Sequence, residues 1–106
     1  MKRIVTCIDG TWNSSDDWLA QAPLTNVAKF GRCVAATTDG VNQIVHYVDG
    51  VGTTGVWYRR AFHGLVGTGM GAAARRAYRF LVENYEDGDE LYFVGFSRGA
   101  YITACL

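Results

Sequence analysis

Residues 90–106 read ELYFVGFSRGAYITACL, and the fold turns on how they are read. Glu90–Phe96 is rich in aromatic and β-branched residues, as strands are. A Gly-x-Ser-x-Gly corner, Gly95 to Gly99, interrupts it, and RGAYITACL then opens a helix. A strand running through a glycine-flanked corner into a helix is the basic step of an α/β protein. Two further runs of strand type, Arg3–Ile8 and Gln43–Val48, lie upstream. Between them the spacing predicts a helix over Asn26–Ala36, with Thr25 as its cap and Val27, Phe30 and Val34 on one face. A second helix is expected over about Ala72–Tyr85, where Ala74, Ala77, Tyr78, Leu81 and Tyr85 recur every three or four residues. Arg75, Arg76, Arg79 and Glu83 then face outward, and EDGDE supplies the turn into the last strand. Alternating strands and helices imply a parallel three-stranded sheet with flanking helices. The strands are apolar on both faces, as a sheet covered on both sides requires.

Composition narrows the function. The 106 residues make one domain or part of one, with 49% apolar and 19% charged residues, enough to bury a core. Ten basic and ten acidic residues cancel, which argues against a nucleic-acid partner held by phosphate neutralisation. No run of 18 apolar residues is present to span a membrane. MKRIVTCIDG is too short in its apolar part for a signal peptide, so cytoplasmic synthesis is expected. Cys7, Cys33 and Cys105 are odd in number and lack Cys-x-x-Cys spacing. They read as small buried hydrophobes, with no metal site and no cofactor implied.

The corner places Ser97 where α/β-hydrolases hold their nucleophile, on a strained strand-to-helix turn between small residues. Gly95 and Gly99 are then the glycines of the elbow, and the Arg98 amide, at the positive end of the new helix, is an oxyanion donor. The second donor is expected from IDGTWN, at the backbone of Gly10 or Thr11, because that loop leaves the carboxyl end of the first strand. The alternative for this loop is a plain turn in which Asp9 accepts backbone hydrogen bonds. Two rival chemistries fail on these letters. A phosphatase of the haloacid-dehalogenase type needs an aspartate nucleophile where Cys7 stands. An EF-hand alignment from Asp9 meets Ser14 where glycine is required and Ala20 where glutamate is required.

GVGTTG, Gly50 to Gly55, matches a dinucleotide-binding glycine pattern after a strand, but no acidic residue follows until Glu83. The glycine-dense stretch from Gly50 to Gly71 reads instead as a functional loop. In it Trp57, Tyr58 and Phe62 are candidates to line an apolar substrate, or else cover the core. His46 alternates with Ile44 and Val48 on one strand face and reads as a packed histidine, while His63 precedes Ser97. The hydrolase order is serine, acid, histidine, and no Asp, Glu or His follows Ser97. A serine hydroxyl needs a base to take its proton. That base is expected outside this chain.

Taken together, RIVTCIDGTWN, TNVAKF, QIVHYVDGVGT and AYRFLVENYEDGDELYFVGFSRGAY resemble one family over about Arg3 to Tyr101. It is the α/β-hydrolase domain family that includes phospholipase effectors of bacterial type VI secretion. The resemblance implies a serine lipase, phospholipase or esterase acting on a lipid or other ester through Ser97, and export by a contact-dependent secretion system. It implies that residues 1–106 are the N-terminal part of such a domain, ending just after the elbow. A catalytically inactive remnant or interaction module of the same fold is the competing expectation. By the same analogy Arg3–Ile8 should lie between the other two strands. The far edge of Glu90–Phe96 should then be open to self-association.

Overall fold

The computed structural model describes residues 1–10, 24–50 and 68–106. In chain order the elements are β1 (Arg3–Ile8), α1 (Asn26–Cys33), β2 (Thr37–Thr38), β3 (Val41–Val48), α2 (Thr68–Asn84), β4 (Glu90–Gly95) and α3 (Arg98–Cys105). The four strands form one sheet in the order β2-β3-β1-β4. Strand β1 pairs in parallel with β3 from Arg3↔Gln43 to Ile8↔Val48, and with β4 from Arg3↔Glu90 to Ile8↔Gly95. The expected central position of Arg3–Ile8 holds.

The sheet is nevertheless mixed and four-stranded, not a purely parallel set of three. The reason is a tight hairpin: Thr37 and Thr38 pair antiparallel with Asn42 and Val41. Asp39 and Gly40 turn at φ 52° and 75°. Two successive residues at positive φ match the right-handed twist of the flanking strands, and Asp-Gly is a favoured pair for it. The hairpin also ends α1 at Cys33 rather than Ala36, because Val34 already turns extended (φ −69°, ψ 120°). Gln43 fastens the junction, its N–H donating to Ala36 O and its Nε2 to Ala35 O, both at 2.8 Å.

Side-chain alternation along β1 splits the core into two layers. Val5 and Cys7 meet Val27 of α1, with Val34, Tyr47 and Val94 at the margin. On the opposite face Ile8 and Val48 meet Ala73, Ala77 and Ile102, with Met70, Ala74 and Leu106 packed against them. Alanine at i and i+4 lets α2 lie close on the sheet. Helix α2 begins at Thr68, ahead of the expected Ala72, because Met70 has core to cover. Phe30, Tyr78 and Tyr85 depart from their expected buried stripes and stand 46%, 60% and 45% exposed. Val27, Ala77 and Leu81 are buried as expected, and Ala28 and Ala73 are buried beside them. Only Cys7 is a buried cysteine; Cys33 and Cys105 are exposed.

The amino ends of the strands are pinned by charge. Lys2 donates through its backbone N–H to Asp89 Oδ1 at 2.8 Å and through Nζ to Oδ2 at 2.6 Å. That contact, with the Glu86 N–H at 2.9 Å, draws the Asp89 carboxyl down to about 2. Glu90 N–H donates to Lys2 O at 3.0 Å, and Arg3 pairs with Glu90 at 2.8 Å. These contacts fix where β4 starts against β1, and hence where it ends.

Candidate active site

At the carboxyl edge of the sheet β4 stops at Gly95, one residue before the expected Phe96. Phe96 N–H still reaches back to Ile8 O at 3.2 Å. Ser97 then turns the chain at φ 56°, ψ −123° and α3 begins at Arg98. A non-glycine residue at positive φ away from the left-handed helical well carries strain of about 1–3 kcal/mol. Serine before a helix commonly spends its hydroxyl on a cap, yet the Ser97 side chain makes no cap hydrogen bond and is exposed. The first turn closes through the backbone, Gly99 N–H to Phe96 O at 2.9 Å and Ala100 N–H to Ser97 O at 3.0 Å. The Arg98 amide is one of the donors that a helix start leaves without an intrahelical partner.

The two flanking glycines are required for space. A Cβ on Gly95 would stand 2.6 Å from Ala100 N and Cα, and one on Gly99 would stand 2.2 Å from Ile8 O and 2.7 Å from Asp9 O. Both obstacles are backbone and cannot step aside. Helix α3 therefore crosses β4 and the end of β1 at a distance only glycine permits.

Asp9, 2% exposed, follows β1 beside that crossing. Its N–H extends the ladder to Val48 O at 3.0 Å. Its Oδ1 accepts the Gly10 N–H at 2.8 Å, and its Oδ2 accepts the hydroxyls of Thr25 and Tyr47. Thr25 is at once the cap of α1, accepting Ala28 N–H at 3.1 Å. Burial and then the bond to Asp9 push the Tyr47 hydroxyl well above its usual range. One carboxyl group thus ties together the ends of β1 and β3 and the start of α1. The plain-turn alternative described the Gly10 contact but not the two hydroxyls. Because the Gly10 amide is turned to Asp9, it is engaged and not aimed outward.

Gly10, Gly95, Ser97, Arg98 and Gly99 thus lie at one edge of the sheet. Thr11, Trp57, Tyr58, Phe62 and His63 lie outside the described residues. His46 is drawn elsewhere: its ring stacks on Phe80 of α2, with centroids 4.0 Å apart and planes 10° apart. Its Nδ1 is buried without a hydrogen-bond partner among the described residues. Burial, helped by the Arg76 charge, lowers its pKa from the ordinary 6.5. Among the described residues no group of three or more His, Cys, Asp and Glu could hold a metal ion, and no helix is long and apolar enough to cross a membrane.

The site is thus a serine held exposed on a strained strand-to-helix corner, against the end of the neighbouring strand β1. The family model described as "T6SS, Phospholipase effector Tle1-like, catalytic domain" matches residues 2–106, and the chain belongs to that family. It is also 30% identical over 118 aligned positions to the uncharacterized protein YEL023C of Saccharomyces cerevisiae. That alignment covers 99% of this chain and 17% of the yeast protein, so the chain spans only a small part of that relative's length. No solved structure matches.

Proposed function

We propose that this chain supplies the nucleophile and the oxyanion site of a serine-dependent phospholipase or esterase of the α/β-hydrolase type. The observation that carries the reading is Ser97, exposed at φ 56° between Gly95 and Gly99, with its hydroxyl free of capping duty. In this reading Ser97 Oγ attacks the carbonyl carbon of a carboxylic ester while its proton passes to a base. The tetrahedral oxyanion is held by the Arg98 amide and by that of Thr11, the Gly10 amide being bound to Asp9. Collapse expels the alcohol and leaves an acyl-serine, which water then hydrolyses. No Asp, Glu or His follows Ser97 in these 106 residues, so the histidine and acid that complete such a triad are not assigned among them. Family membership supports a phospholipid as the substrate class and type VI secretion as the route of export. Trp57, Tyr58 and Phe62 are proposed to face the acyl chain.

The test uses the full-length protein on phospholipid vesicles and on a short-chain p-nitrophenyl ester. A fluorophosphonate probe should label the peptide that carries Ser97, and Ser97→Ala should lose both labelling and hydrolysis. Wild-type turnover in Ser97→Ala, or labelling of another serine alone, would overturn the assignment. A second reading, an interaction module without catalysis, is favoured by β4, which lies at the sheet edge among the described residues, with Leu91, Tyr92 and the following Phe96 41%, 48% and 57% exposed. It predicts a folded full-length protein that the probe does not label and that associates through that edge.

A further inference from the structure

We infer that Asp9 is a positioning residue for this site: its carboxyl group, clamped by Tyr47 and Thr25, orients the Gly10 backbone beside the Ser97 elbow. The inference rests on the hydrolase reading above and deepens it. Two sets of contacts converge on Asp9. From one side the backbone of α3 presses on it, since Gly99 comes so close to Ile8 O and Asp9 O that no Cβ fits. From the other side its Oδ1 accepts the Gly10 N–H at 2.8 Å, while Oδ2 accepts two hydroxyls from separate elements. A loop backbone beside a reactive serine is free to rotate its peptide planes unless something holds them. Here the Gly10 plane is fixed by a buried acceptor, and that acceptor is fixed by groups from β3 and from the start of α1.

The consequence is a division of roles at the turn. With its N–H bound to Asp9, Gly10 is held in one orientation beside the elbow, and its amide is withheld from the oxyanion. Asp9 touches no reacting atom, so its loss should lower kcat with little change in KM. Misplacement of about 1 Å costs on the order of 100-fold in rate.

The test measures kcat, KM and the rate of fluorophosphonate labelling in the full-length protein for Asp9→Asn and Tyr47→Phe, beside Ser97→Ala. Asparagine has one carbonyl oxygen to offer; if that faces Gly10, its NH2 group faces the two hydroxyls and the clamp loosens. Asp9→Asn should lower kcat and labelling roughly 10- to 100-fold with KM within about twofold, and Tyr47→Phe should lower them less and in the same pattern. Unchanged kcat and labelling in a folded Asp9→Asn protein would overturn the inference. So would losses that only follow the folded fraction read by circular dichroism. If Asp9→Asn does not fold, Tyr47→Phe decides on the same terms. Full activity in Ser97→Ala would instead refute the hydrolase reading itself, so the two failures are distinguishable.

Discussion

Replacing Ser97 with glycine and with alanine should give two inactive proteins that differ in stability, glycine being the more stable. At almost every ordered position the reverse holds, because glycine loses more conformational freedom on folding, by roughly 0.5–1 kcal/mol relative to alanine. At φ 56°, ψ −123° the Cβ is the problem, and alanine keeps it. Strain at such a position is about 1–3 kcal/mol. After the entropy of glycine is set against it, a net gain of about 0–2.5 kcal/mol, centred near 1, remains for Ser97→Gly over Ser97→Ala. For a domain of this size about 1 kcal/mol moves the melting midpoint roughly 4–8 °C. Thermal and urea melts of the two variants read this directly. The internal control is Arg75, exposed within α2, where glycine should be less stable than alanine by about 0.8–1.0 kcal/mol. If Ser97→Gly is no more stable than Ser97→Ala while the Arg75 pair shows its ordinary difference, the elbow is not strained. The structural case for Ser97 as a nucleophile then loses its main support.

Gly99→Ala should cost about 1–3 kcal/mol in a thermal melt and lower ester hydrolysis on the order of 100-fold. Its Cβ would meet Ile8 O at 2.2 Å where ordinary contact starts at 3.4 Å; a wild-type melting point would show that the crossing is looser than described. His46 should make the protein acid-sensitive. Its folded pKa is lowered from 6.5, so below that pH the unfolded chain binds a proton that the native chain refuses, and stability falls. Above 6.5 both states are neutral and His46 contributes no pH dependence. The urea midpoint of the wild type should therefore drop from pH 7 to pH 5 more steeply than that of His46→Leu, and parallel curves would refute this.

The sequence announced its sheet clearly because Arg3–Ile8 and Glu90–Gly95 are built from residues that suit a pleated, doubly covered surface. The hairpin was not legible, although Asp39-Gly40 is a favoured turn pair, because β2 has only two residues, too few for alternation to mark. The stripes on α1 and α2 misled for a different reason. Periodicity finds an apolar face without saying how much of it is covered, and beside the buried Val27, Ala77 and Leu81 stand Phe30, Tyr78 and Tyr85 in the open. Ser97, Gly95 and Gly99 were legible as a motif, whereas the need for Gly99 comes from β1, about ninety residues earlier in the chain. Asp9 was the least legible. Its hydroxyl partners lie 16 and 38 positions away, and neither Thr25 nor Tyr47 carries a local pattern that points to it.

Strand β1 is what connects these observations. Its amino end is locked to the entry of β4 by Lys2 with Asp89 and by Arg3 with Glu90. Its carboxyl end supplies Ile8 O to the Phe96 N–H and lies against Gly99. Both ends of the β1–β4 register are therefore fixed, and a parallel pair cannot slip by one residue without turning every side chain to the wrong face. Ser97 sits two residues past the last pair of that register, Ile8↔Gly95, so its height above the sheet is set by contacts at the opposite edge. Asp9 sits one residue past the same pair on β1, held in turn to β3 and α1. A strand that is buried from Ile4 to Ile8 is the most rigid element available to carry both. Ser97 and the Asp9 clamp thus share one reference, and neither can move without the register of β1 moving first.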